Sequence, residues 1–155
     1  LGVDPGLNRT GYAVMERTPR GPRLLEAGVI RSTREKSLAE RLVELGHGLR
    51  EVVEQYAPTE LAIEQVFTTL QHPKSSILLA HARGAVLFTA AESRLKVVHY
   101  TATQIKHLLT GSGKATKDQM QRAIANELGL DAPPEPHDVA DACAICLCRI
   151  HSPGS

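Results

Sequence analysis

The sequence has no apolar run approaching the length of a membrane span, and its start carries no signal-peptide pattern. These absences argue against an inserted or exported chain and point to a soluble, cytoplasmic protein. Cysteine is scarce: Cys143, Cys146 and Cys148 are the only three, an odd number crowded into one stretch. Such a set builds no disulfide framework and fits a reducing compartment. With His151 they occupy positions i, i+3, i+5 and i+8, which lie around much of a helix and cannot converge on one tetrahedral ion. They read as small core residues. Internal repeats and low-complexity segments are also missing. The chain begins inside an apolar strand pattern, so an initiator methionine and a few further residues are expected ahead of Leu1.

The 155 residues suffice for one substantial core. Residues 1–151 read as one domain and 152–155 as a tail. The formal charge of +1 hides an asymmetry. From Ser93 to Arg122, Arg94, Lys96, Lys106, Lys114, Lys117 and Arg122 face one acid, Asp118. Beyond them, Glu127, Asp131, Glu135, Asp138 and Asp141 stand against Arg149 alone. A basic stretch beside an acidic cluster suits a polyanion held next to a cation-dependent site, and it equally suits a solvated surface.

The chain is organised around its first sixteen residues. An apolar run ends in Asp4, turns through Pro5 and Gly6, and returns through Gly11 into a second apolar run, which predicts a hairpin. Asp4 then stands at a strand end, although Asp-Pro-Gly is also ordinary turn chemistry. Arg23–Arg31 reads as a third strand, completing an antiparallel meander. Ser37 and Glu40 form a capping box ahead of Leu38, Leu42, Leu45, Leu49, Val52 and Tyr56, an amphipathic helix stopped by Pro58. Glu60–Phe67 is a short strand. Lys74–Leu95 is a helix, apolar nearly all round between Ile77 and Ala91, so it needs cover on two sides: the sheet on one, a partner subunit on the other. Lys96–Tyr100 is the fifth strand. Thr101 with Gln104 and Thr116 with Gln119 open two helices, separated by Gly111-Ser112-Gly113. A last helix follows Pro136 and runs to about Arg149. Strands separated by helices pair in parallel through right-handed crossovers. The expected fold is α/β: a mixed five-stranded sheet, three antiparallel strands then two parallel, flanked by helices.

Four acids stand out. Asp4 ends the first strand, and Glu64 lies in an apolar strand where a lone carboxylate is costly to bury. Asp138 and Asp141 are three apart and share a helix face. Each has a bland alternative: a solvated strand end for Glu64, and dipole-favoured acids in a first helical turn for the pair. If the first and fourth strands are neighbours and the last helix crosses them, all four converge. Two carboxylates about 4 Å apart repel by roughly 4 kcal/mol at an effective dielectric near 20. Four such groups call for divalent cations, and hard oxygen donors suit Mg²⁺ or Mn²⁺. A two-metal site suits in-line phosphodiester hydrolysis.

Gly2-Val3-Asp4-Pro5-Gly6 with Thr10-Gly11-Tyr12, Ala62-Ile63-Glu64-Gln65-Val66-Phe67, Ala82-Arg83-Gly84 and Asp138-Val139-Ala140-Asp141-Ala142 together resemble the RuvC family of Holliday-junction resolvases, in order and spacing, over essentially the whole chain. The resemblance implies a ribonuclease H-like fold, a homodimer, and paired nicking of four-way DNA junctions with two Mg²⁺ ions per site, Mn²⁺ substituting. It also implies a branch-migration partner of the RuvA–RuvB type. It places the catalytic, metal-holding acids at Asp4, Glu64, Asp138 and Asp141, and a catalytic lysine at Lys117. DNA contacts fall on Phe67, Arg83, Lys106, Lys114 and Lys117. Cys143 stands where a leucine is usual, which touches packing. His137 precedes Asp138, and some members use a histidine at the first position of that acid pair; a supporting role for His137 and plain helix-end solvation both fit. The opening hairpin also resembles the first phosphate loop of actin-like ATPases and sugar kinases, but those need two lobes and a second glycine-rich loop. A nuclease for RNA–DNA hybrids or single strands would share the acids without the Glu-Gln-Val-Phe segment. A non-catalytic junction binder would tolerate loss of acids, and none is lost.

Overall fold

The computed structural model describes residues 1–66 and 72–152. In chain order the elements are β1 (Gly2–Asp4), β2 (Arg9–Thr18), β3 (Gly21–Arg31), α1 (Leu38–Tyr56), β4 (Glu60–Glu64), α2 (Pro73–Glu92), β5 (Lys96–Tyr100), α3 (Ala102–Thr110), α4 (Lys117–Leu128) and α5 (His137–His151). The five strands form one sheet in the order β3-β2-β1-β4-β5. β1 pairs antiparallel with β2 and β2 with β3, whereas β1–β4 and β4–β5 are parallel. The mixed α/β architecture read from the sequence is the one observed.

Local chemistry accounts for the boundaries. Ser37, Thr101 and Thr116 each cap a helix, and each is answered by Glu40, Gln104 or Gln119 in a complete capping box. β4 stops at Glu64 rather than Phe67: Gln65 N–H still donates to Tyr100 O, but Val66 is already exposed. α2 begins at Pro73, whose missing N–H costs nothing in a first turn. It ends at Glu92 instead of Leu95 because Arg94 turns left-handed, with φ of 59°. The Leu95 and Arg94 amides then return to Ala90 O and Ala91 O, a Schellman closure built without glycine.

The sheet carries a core on each face. One packs Ala13, Met15, Ala62 and Tyr100 under α5, with Ile105 and Ile124 at its edge. The other packs Val3, Val14, Leu61 and Ile63 under α1 and α2. α5 lies directly on β1 and β2, and two glycines permit that approach. A Cβ on Gly2 would fall 2.5 Å from Ala142 O, and one on Gly11 would fall 1.9 Å from Asp138 O. From Ala142 to Cys148 the helix is buried throughout. Cys143, Cys146 and Cys148 are core residues, and burial pushes the Cys143 and Cys148 thiols up to about 12. At the opposite end of the sheet from Asp4, Arg149 clamps Glu60 with bonds of 2.6 and 2.8 Å. No helix among the described residues is long and apolar enough to cross a membrane.

Candidate active site

The pairing of β1 with β4 brings the first two acids together. Gly2 lies beside Ala62 and Val3 beside Ile63, so Asp4 and Glu64 follow as the next residues of two parallel strands. Asp4 is also the cross-strand partner of Gly11, over which the first turn of α5 is laid. Asp138 and Asp141 therefore descend on Asp4 from above. The loop after Asp4 is held by Thr10, whose Oγ1 accepts from Gly6 N–H at 3.2 Å and donates to Gly6 O at 2.9 Å.

The electrostatics record the convergence. The Asp4 carboxyl is pushed from 3.8 up to about 7, first by burial and then by the charges of Asp141, Asp138 and Glu64. Glu64 is raised by burial and by Asp141, and is held back by Lys106. Asp141 is raised by burial, against the opposing charges of Lys117 and His137. Asp4 thus feels the other three acids, Glu64 feels Asp141 and Asp141 feels Asp138, and the two lysines singled out in the sequence each oppose one acid. Neither lysine makes a direct ion pair with them. Among the described residues no three acids, histidines or cysteines are drawn in to ligand geometry. The donor set nonetheless fits a hard divalent cation, and buried Asp138 Oδ2 accepts no hydrogen bond of acceptable geometry. A cleft of about 410 Å³ opens beside Asp4 and Glu64, walled by Pro5, Leu79 and the start of α3.

The remaining sequence candidates are dispersed. Arg83 turns toward the sheet: its Nε donates to Glu64 O at 3.4 Å and its Nη2 meets His99 Nδ1 at 2.8 Å. Lys114 is exposed in the connector between α3 and α4, away from any ion pair with the acids. His137 Nδ1 meets Gln121 Nε2 at 3.3 Å. Phe67 lies outside the described residues. Sequence reading missed Arg9, whose Nε stands 3.3 Å from Asp138 Oδ2, and His99 behind Arg83. Arg9 lies in the segment between two quoted motifs, and its basic character was the available signal.

Sheet order, crossing helix and acid cluster define an α/β protein of the ribonuclease H-like class. The chain matches, over residues 1–149, the family described as crossover junction endodeoxyribonuclease RuvC. It belongs to the RuvC family. A relative of that name from Rhodopirellula baltica is 49% identical over 150 residues, covering 96% of this chain and 83% of the relative. Another, from Aromatoleum aromaticum, is 44% identical over 151 residues, covering 97% and 80%. The solved structure of Thermus thermophilus RuvC in complex with Holliday junction substrate superposes with a TM-score of 0.90 at 30% identity, covering 98% of this chain and 92% of that one. The yeast mitochondrial Holliday junction resolvase, 13% identical with a TM-score of 0.69 over 97% of this chain and 77% of its own, shares the fold.

Proposed function

We propose that this chain is a structure-selective endonuclease that resolves four-way DNA junctions by paired, symmetric phosphodiester hydrolysis, residues 1–151 acting as one nuclease domain in the cytoplasm. The observation that carries the reading is the buried Asp4 carboxyl at one end of the sheet with Asp141, Asp138 and Glu64 gathered around it, in a RuvC-family chain. These four acids would hold divalent cations, two Mg²⁺ per site with Mn²⁺ as substitute. When bound, such ions supply Lewis-acid stabilisation of an in-line displacement at phosphorus. The chain's own residues do the rest. Glu64 and Asp4 are fixed by strand pairing, Asp138 and Asp141 by the helix laid on Gly11. Lys117, which opposes Asp141, neutralises charge developing on the scissile phosphate, and Lys106, which opposes Glu64, combines that role with ground-state phosphate contact. Lys114, Arg83 and Phe67 contribute to DNA handling, Arg83 chiefly by holding the strand end that carries Glu64.

Paired cuts require two sites, and α2 supports a homodimer. It leaves Ile77, Leu78 and Phe88 exposed, Phe88 at 67%, beside an open groove of about 480 Å³ shared with α1. A junction presented by a branch-migration complex of the RuvA–RuvB type suits that symmetry. The decisive experiment compares four-way junctions, linear duplex and RNA–DNA hybrid, with and without Mg²⁺. Metal-dependent, symmetric cutting confined to the junction is expected; faster cutting of the hybrid would overturn the reading.

A further inference from the structure

On the Asp138 side of the acids lies an open groove of about 520 Å³, lined by the loop from Gly6 to Arg9, by Arg31, Ser32 and Arg34, and by Asp138. Three arginines and one carboxylate line it, and only Arg9 reaches the carboxylate. Arg9 and Arg31 are direct cross-strand partners on β2 and β3, which sets like charges opposite each other on one sheet face. That arrangement is destabilising unless an anion lies beside it. Asp138 answers it only in part, through the 3.3 Å approach of Arg9 Nε to an oxygen that accepts no well-formed hydrogen bond. Arg31 and Arg34 are exposed, and neither guanidinium has an ion-pair or hydrogen-bond partner among the described residues.

The groove is also built in advance. Thr10 holds Gly6, Ser32 Oγ donates to Leu7 O, and Arg41 Nη2 donates to Asn8 Oδ1, so the loop is tied at once to β2, to the residue after β3 and to α1. Guanidinium forks on fixed walls match phosphate oxygens. Asp4 and Glu64 line the other cleft and Asp138 lines this groove, so a strand that occupies both crosses the acids.

We infer that the Arg9–Arg31–Arg34 groove is a phosphodiester subsite for the strand beyond the cut, and that a phosphate seated there draws Arg9 off Asp138 and frees that carboxylate for the acid cluster. The inference rests on the nuclease reading above and adds to it a coupling between strand engagement and completion of the site.

Junctions carrying one neutral methylphosphonate at successive positions around the cut test the subsite, with binding measured by fluorescence anisotropy in Ca²⁺. The Arg31→Ala/Arg34→Ala variant should bind the unmodified junction about tenfold more weakly, with a salt slope smaller by about two. At one or two adjacent positions the methylphosphonate should weaken the wild type and cost this variant nothing more. Equal penalties for both proteins at every position would overturn the subsite. The Arg9 latch is read without DNA, by Mn²⁺ affinity: Arg9→Gln should tighten Mn²⁺ binding more than Arg31→Gln, which removes the same charge but no contact with Asp138. Equal gains would overturn the latch. A wild type that shows no preference for the four-way junction over linear duplex in these assays sinks the nuclease reading instead, whatever the arginines do.

Discussion

Gly11 and Asp138 meet backbone against side-chain space: the place a Cβ would take on Gly11 lies 1.9 Å from the Asp138 carbonyl oxygen. Because Gly11 is also the cross-strand partner of Asp4, this single missing methyl sets the height of α5 above the acids. Gly11→Ala must lift the first turn of that helix. The expected cost is about 1–3 kcal/mol of stability, from overpacking, together with a loss of cleavage out of proportion to it. Thermal melts and single-turnover cutting of a junction check both. Gly84→Ala, where an added Cβ meets nothing, should leave the protomer's melting temperature unchanged or raised.

The metal-free protein should lose stability as pH rises. The Asp4 carboxyl titrates near 7 in the fold and near 3.8 when unfolded. Between those values the native state holds a proton that the unfolded chain has released, so the stability associated with this group declines from about pH 4 to about pH 7, by a few kcal/mol in order of magnitude. Glu64 and Asp141, also raised, act in the same direction. Asp4→Asn removes the ionisation, so it should melt higher than wild type at about pH 8 without metal, and the gap should vanish at about pH 4. Mg²⁺ should raise the wild-type melting temperature and leave the variant nearly unmoved. A gap independent of pH would contradict the coupling.

Asp4→Asn, Glu64→Gln, Asp138→Asn and Asp141→Asn should each reduce cleavage by at least about 100-fold, while junction affinity, set mainly by lysines and arginines, stays within a few-fold of wild type. Substantial cutting by Glu64→Gln would remove that residue from the site.

Lys117→Ala separates catalysis from binding. A lysine that opposes Asp141 and serves the developing phosphate charge should, when lost, slow single-turnover cutting at saturating enzyme by about 10- to 100-fold. Wild-type rates at saturation, with weaker affinity alone, would make it a ground-state phosphate contact.

Phe88→Glu places a charge on the most exposed large apolar residue of α2. Light scattering should then report monomers, and nicking of the two symmetric strands should lose its pairing. A dimer that survives this change and Ala85→Arg would place the interface elsewhere.

The strands, helices and three capping boxes were legible because each is written locally: apolar period, Ser or Thr followed three residues on by Glu or Gln, and a proline or glycine stop. Convergence of the four acids was legible only conditionally, since nothing local states that β1 and β4 are neighbours. The contacts of Arg9 with Asp138 and of Arg83 with His99 were not legible, because each joins elements that meet only through the assembled sheet. The direction Arg83 takes, toward Glu64 O and His99, was equally hidden, because a basic side chain carries no sequence mark of which way it points. The apolar pattern runs on to Leu95, whereas α2 ends at Glu92, because Arg94 adopts a left-handed turn usually left to glycine or asparagine.

The three thiols of α5 are each at most 3% exposed, and all are raised by burial. Maleimide reagents, which need an accessible thiolate, should therefore leave the folded protein unlabelled. A single introduced cysteine, such as Lys114→Cys in the connector between α3 and α4, would then be the only reactive handle. A fluorophore attached there would report the approach of a junction arm without deleting any native sulfur. In the same preparation, delayed labelling of Cys143, Cys146 and Cys148 would time the opening of the core.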